Sequence, residues 1–407
     1  MRIAMMTNNY RPVVGGVPIA IDRLAEGLRE RGNEVYIFAP EYEGYQEEDP
    51  FVIRYRAFHK KAGGYVPLMK PVDLQMEQRF RELEFDIIHV HHPVLIGQRA
   101  QYLGKKYHVP VVFTYHTQYE QYLHYWKPYK RLKEREGRLE RKLVDFIERQ
   151  LVLGTIRRFT EKCSLVFAPT NQVKTLIGDR GWEANLTVMP TGLPESAYKK
   201  CRDQEEIRKI YGRGKSYLMC TVARLSAEKN LVFLLGALAE LKKKIGDDFQ
   251  MLVLGDGPQK QELLALTEQL GLSENVAFLG TVSNESVYDF HSACDLFLFA
   301  SKSETQGIVL LEAMASYRPV VAVNATGVCD VVRDGQNGYM VEESEEVFAE
   351  TVQKVLQNRK LYEVLSEGAR ETAERYRSTA VAGAAERNYQ KILLTEKESR
   401  KRRFLEV

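Results

Sequence analysis

Two glutamates, Glu304 and Glu312, bracket seven residues in the stretch Ser303-Glu304-Thr305-Gln306-Gly307-Ile308-Val309-Leu310-Leu311-Glu312, which follows the apolar run Leu296–Ala300. An apolar run, a short polar loop and a second apolar segment predict a strand, a turn and a helix from about Gly307 to Ser316. The first amides of such a helix, on Gly307, Ile308 and Val309, have no intrahelical carbonyl to bond. They also carry the positive end of the helix dipole, which suits them to a phosphate. Glu304 lies in the loop and Glu312 in the second turn, so the carboxylates sit at different depths and cannot be interchangeable. As acceptors with several lone pairs, one suits ribose hydroxyls and the other sugar hydroxyls.

A second constellation is Ala223-Arg224-Leu225-Ser226-Ala227-Glu228-Lys229-Asn230, just beyond a β-type run ending near Ala223. Arg224 offers a forked donor and Lys229 a point charge, and from one loop the two can converge on a pyrophosphate. Near the start, Val14-Gly15-Gly16-Val17 separates the first apolar run from a helix beginning near Ile19, with Pro18 suited to its first turn. Paired glycines let backbone approach an anion at the helix N-terminus. The spacing is not that of a dinucleotide fingerprint, and a plain strand-to-helix turn accounts for it equally well. His116, in Phe113-Thr114-Tyr115-His116-Thr117, ends another strand-like run. His89, His91 and His92 resemble a metal cluster only superficially: in a strand 89 and 91 share a face and 92 opposes them. No Asp-x-Asp motif is present to hold a divalent ion against a diphosphate, so neither a metal nor another cofactor is expected.

These groups need a scaffold that gathers loops at one end. Short β-type runs near 2–6, 35–39, 86–90, 111–114, 165–168 and 186–189 alternate with helical patterns. A second series follows near 217–223, 251–254, 276–279, 295–299, 319–323 and 338–341. Such alternation predicts parallel α/β sheets with right-handed crossovers, which bind ligands at the carboxyl ends of their strands. Met189-Pro190-Thr191-Gly192-Leu193-Pro194 denies continuation of helix or strand and marks a hinge. The expected division is an N-terminal Rossmann-like domain over 1–192, a C-terminal Rossmann-like domain over 193–377, and a terminal helix and basic tail over 378–407 that could pack on either.

Length and composition agree with this. At 407 residues the chain exceeds one ordinary core, and 44% hydrophobic with 28% charged residues is the composition of a globular protein. A net charge of +3 is too small to argue for nucleic-acid binding. Cys163, Cys201, Cys220, Cys294 and Cys329 are odd in number and scattered, so a reducing, cytoplasmic setting is expected. The apolar run that opens the chain ends at Asn8, too short for a signal-peptide core, and nothing approaches the length of a membrane span. Any membrane contact is expected to be peripheral.

The Glu-x7-Glu element, the Arg-x4-Lys spacing of Arg224 and Lys229, and the early Gly15-Gly16 together resemble the retaining glycosyltransferases of family 4. That likeness runs over nearly the whole chain. It implies the GT-B fold, two Rossmann-like doubly wound domains facing across a cleft. It further implies that Glu312 binds the ribose, Glu304 the donor sugar, Arg224 and Lys229 the diphosphate, and Gly16 the phosphate from the N-terminal side. Val282, in Leu279-Gly280-Thr281-Val282-Ser283, matches a position that reads the base through its backbone, and His116 matches a histidine that orients the transferred sugar. Retention with no obvious enzymatic nucleophile implies a front-face reaction.

The acceptor is to be sought in the N-terminal half. Between Lys127 and Lys142 stand eight Lys or Arg against three Glu, with apolar residues at 132, 139, 143, 146 and 147. Upstream, Tyr119, Tyr122, Trp126 and Tyr129 recur at roughly helical spacing. A basic amphipathic helix with an aromatic cluster, including Lys130, Arg131 and Lys133, could lie on the inner, anionic face of a membrane. An ordinary packed helix with a solvated basic face would look much the same. The stretch Tyr115–Tyr122 with the helix after it resembles diacylglycerol glucosyltransferases within the family, which implies UDP-glucose as donor and a lipid acceptor. A soluble sugar or polysaccharide acceptor, a sugar-nucleotide epimerase and a silent nucleotide-sugar-binding protein are the competing expectations.

Overall fold

Alternate residues of the first strand enter different cores: Ile3 and Met5 pack on one face of a sheet, Ala4 and Met6 on the other. A strand buried on both faces belongs inside a doubly wound parallel sheet. A computed structural model of the chain describes residues 1–13, 15–58, 68–69, 73–116, 129, 132–133, 137–199, 204–302, 304 and 306–405. It divides the chain into two compact units, Met1–Gly192 with Ser378–Val407, and Leu193–Arg377.

The first unit is built on β1 (Arg2–Met6), β2 (Glu34–Pro40), β3 (Val52–Tyr55), a small antiparallel pair of β4 (Ala57–Phe58) and β5 (Leu68–Met69), then β6 (Ile87–Val90), β7 (Val111–Thr114), β8 (Leu165–Ala168) and β9 (Leu186–Val188). The main sheet has the order β3-β2-β1-β6-β7-β8-β9 and is parallel throughout. Strand β3 escaped the sequence pattern. Its Val-Ile-Arg-Tyr run is short, and Arg54 breaks the apolar signature because it sits at a sheet edge, bonded to the Pro40 carbonyl.

The second unit contains β10 (Tyr217–Val222), β11 (Phe249–Leu254), β12 (Val276–Gly280), β13 (Leu296–Phe299), β14 (Val320–Val323) and β15 (Gly338–Val341), again all parallel, in the order β12-β11-β10-β13-β14-β15. In each unit the strand order reverses once, between β1 and β6 and between β10 and β13. The helix after β10, Leu231–Ile245, buries Leu231, Phe233 and Leu234 against one face of the sheet. The helix after β13, Ile308–Ala315, buries Leu310 and Leu311 against the other.

The last helix runs Ser378–Leu405, so the segment expected as a charged tail is its continuation. It belongs to the first unit. Val381, Ala382, Ala385 and Tyr389 join a core with Ile21, Leu24 and Leu28 of the helix Gly16–Glu30. The two helices meet closely enough that a Cβ on Gly27 would stand 2.9 Å from Ala382 Cβ and 3.0 Å from the Ser378 carbonyl.

Overpacking a well-filled contact costs about 1–3 kcal/mol, and Gly27→Val should lower the urea-unfolding free energy by that amount. Gly178, in the helix Asn171–Asp179, has nothing within 4 Å of its would-be Cβ, and Gly178→Ala should leave stability unchanged or slightly raised.

Candidate active-site residues

In the second unit three loops leave neighbouring strands at the same end of the sheet. After β10 the chain passes Arg224, makes the short turn Ala227–Lys229, and opens the next helix at Asn230, whose φ of 56° is left-handed. After β13 it enters the loop carrying Glu304. The Glu228 carbonyl ties the two, accepting the Lys302 amide at 3.0 Å and the Ser301 hydroxyl at 3.3 Å. The third loop, after β11, is stitched to the first: the Leu225 amide donates to the Asp256 carbonyl at 3.1 Å, and the Gln259 amide to the Leu225 carbonyl at 3.0 Å. Gly255 takes φ 134°, and a Cβ there would stand 1.9 Å from the Ala223 carbonyl; at Gly257 it would stand 2.4 Å from the Leu225 carbonyl. Only glycine allows these backbones to lie so close. This support for Arg224 was missed in the sequence, although Gly255-Asp256-Gly257-Pro258 after an apolar run is a turn signal.

Glu304 and Lys229, assigned separate partners from the sequence, form an ion pair with each other, their side chains about one-fifth exposed at 18% and 20%. At that burial the cost of desolvating the two charges offsets part of their attraction. Arg224 is exposed at the mouth of the same loop, and Val282 is half-buried beyond β12. The helix expected from Gly307 has Ile308 as its first residue. Gly307 precedes it as cap with φ 69° and ψ 51°, and its carbonyl accepts the Leu310 amide at 3.0 Å. The amides of Ile308 and Val309 therefore open the helix, while that of Leu310 is already engaged. Glu312 lies buried one turn further on. Ser303 and Thr305 fall outside the described residues.

In the first unit Gly15 is extended and caps the helix Gly16–Glu30. A Cβ at Gly16 would meet nothing within 4 Å, and at Gly15 only Pro18 Cδ at 3.9 Å, so packing among the described residues demands neither glycine. His89, His91 and His116 lie in series. The Tyr389 hydroxyl meets His89 Nδ1 at 2.7 Å, and His89 Nε2 meets Thr114 Oγ1 at 2.7 Å. The rings of His89 and His91 lie 4.4 Å apart, and those of His91 and His116 5.1 Å apart with an interplanar angle of 24°. His91 Nδ1 and His116 Nε2 are 2.8 Å apart. His92 turns away and accepts the Asn8 amide at 3.2 Å through Nδ1. Burial pushes His89 down to about 3 and His92 to about 4, and holds His91 well below its ordinary value. Burial lowers His116 too, with His92 and His89 adding to it, although an edge of the residue reaches solvent. These rings are uncharged at neutral pH.

Of the acceptor candidates, Tyr119, Trp126, Lys130 and Arg131 lie outside the described residues, as does Tyr122. Lys133 is described, with its ammonium 3.2 Å from the Tyr129 hydroxyl and 3.4 Å from Glu148 Oε1. Tyr129 belongs to the interior rather than to a surface aromatic series: its ring is buried and its hydroxyl donates to Glu148. An exposed apolar row lies downstream, along Arg138–Asp145 and its π-helical continuation Phe146–Leu153. Leu143, Phe146 and Leu151 are 47%, 55% and 53% exposed, beside exposed Arg141 and Lys142. Among the described residues no helix is long and apolar enough to cross a membrane.

Residues 14–196 match the family model "Glycosyltransferase Family 4", and residues 203–372 match "Glycosyl transferases group 1". The chain belongs to glycosyltransferase family 4. Its fold is GT-B: over 97% of this chain and 99% of the other it superposes on sucrose-phosphate synthase from Thermosynechococcus elongatus, with a TM-score of 0.76 at 18% identity. The chain is 29% identical over 401 residues to the alpha-monoglucosyldiacylglycerol synthase of Acholeplasma laidlawii, covering 96% of each protein. It is also 29% identical over 334 residues to the Streptococcus pneumoniae protein of the same name, covering 79% of this chain and 71% of the other. Arg224, Lys229 and Glu304 stand on the switch-point loops of the second unit.

The neutral histidines give this transferase a pH signature. A histidine whose folded-state pKa is depressed favours the folded protein above its ordinary value of about 6.5, and that advantage is lost as pH falls toward the folded value. Between pH 7.5 and pH 5, His89 and His91 should each withdraw about 2 kcal/mol of stability. Thermal unfolding across that range should show His89→Asn with a shallower loss than the parent protein.

Proposed function

We propose that this family 4 enzyme transfers glucose from UDP-glucose to diacylglycerol at an anionic membrane surface, retaining the anomeric configuration and needing no metal. The lipid half rests on the exposed row Leu143, Phe146 and Leu151. An outward apolar row beside Arg141 and Lys142 favours an interface whose interior is hydrocarbon and whose surface is negative. The kind of acceptor named for the relatives that match along most of the chain agrees with this. On that basis the enzyme works as a peripheral protein on the cytoplasmic face.

The donor half follows from the second unit. The amides of Ile308 and Val309 and the guanidinium of Arg224 are suited to a diphosphate, Glu312 to ribose hydroxyls, and the backbone at Val282 to the base. In this proposal Gly15 and Gly16 give the nucleotide's phosphate room to approach backbone, since packing does not account for them. Lys229 exchanges its bond to Glu304 for one to phosphate, which releases the carboxylate to accept a sugar hydroxyl. The acceptor oxygen then bonds to the anomeric carbon on the face from which the diphosphate departs, and the departing phosphate oxygen takes the acceptor's proton. Positioning and fixed dipoles supply the catalysis, and Arg224 and Lys229 balance the charge of the leaving group.

Glu304→Gln should lower kcat steeply while UDP binding stays level or tightens, because the change frees the Lys229 charge. Arg224→Ala should weaken UDP binding by about 1.5–3 kcal/mol, the value of a charged hydrogen bond. Calorimetric titration with UDP and turnover in EDTA check these points. Complete loss of turnover in EDTA would overturn the metal-free mechanism.

The surface row is tested by co-sedimentation with phosphatidylglycerol vesicles. Leu143→Asp with Phe146→Asp should abolish vesicle binding and activity on vesicle-borne diacylglycerol without changing UDP affinity. Unchanged binding and activity would overturn the membrane role of this surface row.

A further inference from the structure

The histidine series contains one buried atom with no partner. His91 is 1% exposed, and its Nε2 has no hydrogen-bond partner, although its Nδ1 lies 2.8 Å from His116 Nε2. A bond between two uncharged imidazoles needs one ring to donate and the other to accept, so the proton can sit in only two ways. If His116 donated from Nε2, His91 would carry its own proton on Nε2 and bury an N–H with no acceptor. If His91 donates from Nδ1, the atom left unpartnered is a lone pair. Orphaned buried N–H groups are the rarer and costlier case.

We infer that His91 is a positioning residue that donates from Nδ1 to His116 Nε2, so that His116 holds its proton on Nδ1 and presents an N–H donor to the substrate. The near-parallel ring planes, 24° apart, suit the in-plane N–H···N bond that fixes the rotation of the His116 ring. Behind His91, His89 is itself held at both ends by Tyr389 and Thr114, and its ring lies 4.4 Å from that of His91. Burial keeps the rings uncharged, which removes the alternative of two N–H groups on one ring. His116 then acts toward the donor sugar as a neutral donor. With Nε2 occupied, it has no lone pair left with which to take up a proton. This inference rests on the role that the family resemblance implies for His116, that of orienting the transferred sugar.

Two measurements separate the inference from that role. In protein labelled with 15N at histidine, with the His116 signals assigned by their absence in His116→Ala, the substrate-free enzyme should show protonated Nδ1 and unprotonated Nε2. The opposite tautomer would overturn the inference whatever the substrate proves to be. In turnover assays reading UDP release, His91→Leu should lower kcat about tenfold or more with KM little changed. His91→Asn, which keeps an N–H close to the position of Nδ1, should recover most of that loss. In a His116→Ala background, His91→Leu should add nothing, because the two residues act as a unit. If His116→Ala leaves kcat intact, the role of His116 fails. If His116→Ala is impaired but His91→Leu is not, or if the two losses multiply, the positioning role fails. A near-ultraviolet circular dichroism spectrum matching that of the parent protein qualifies each variant as folded.

Discussion

The reversal of strand order between β10 and β13 is the constraint on which the placement of Arg224, Lys229 and Glu304 depends. Both strands run parallel and end side by side, but their following helices pack on opposite faces of the sheet. The loops leaving them must therefore part, and a crevice opens at their carboxyl ends, where doubly wound sheets bind ligands. Arg224 and Lys229 lie on one lip and Glu304, Gly307 and Ile308 on the other. The Glu228 carbonyl, bonded to Lys302 and Ser301, keeps the lips at a set separation. The first unit repeats the device between β1 and β6, where Gly15-Gly16 and His91 leave adjacent strands toward opposite faces.

Electrostatics in the two units follow opposite strategies. In the second, charge is retained and paired: Lys229 and Glu304 hold each other while partly buried. Losing one partner there leaves the other poorly compensated, which is why such a pair suits exchange with a charged ligand better than simple stability. In the first, charge is removed. Burial of His89, His91 and His116 makes neutrality the cheaper state, and polar contacts from Tyr389 and Thr114 to His89 satisfy ring nitrogens without ionisation. An uncharged ring keeps distinct donor and acceptor nitrogens, and so can hold a direction that a doubly protonated ring would lose.

Much of this was legible in the residues because buried parallel strands announce themselves as apolar runs. Twelve strands were readable in that way. The ones missed, β3 and the short pair β4 and β5, are brief or lie at an edge, where burial is one-sided and an Arg54 is tolerated. The Glu-x7-Glu spacing marked a loop and helix that the fold possesses, with the start displaced by one residue because Gly307 takes a left-handed φ that spacing does not report. Tyr129 was left open between a surface and a packed helix for a related reason. Aromatic residues at helical intervals look the same whether they face solvent or a core, and a partner 19 residues away, Glu148, decided the matter.

The sequence by itself determined what is local in origin: the alternation of strands and helices, the family motifs, and which residue types stand at the carboxyl ends of strands. These depend on side-chain volume and on backbone preferences within a few residues. Only the tertiary structure decided contacts between residues far apart in the chain. The sequence left the last helix free to join either half, and the closeness of Gly27 to Ala382 gave it to the first unit. It left Lys229 and Glu304 as separate charges, 75 positions apart, and the fold made them a pair. It left His91 as one histidine among eight, and the pairing of β6 with β7 brought it against His116. Such contacts arise from register between elements, and register depends on how whole faces pack rather than on any one segment.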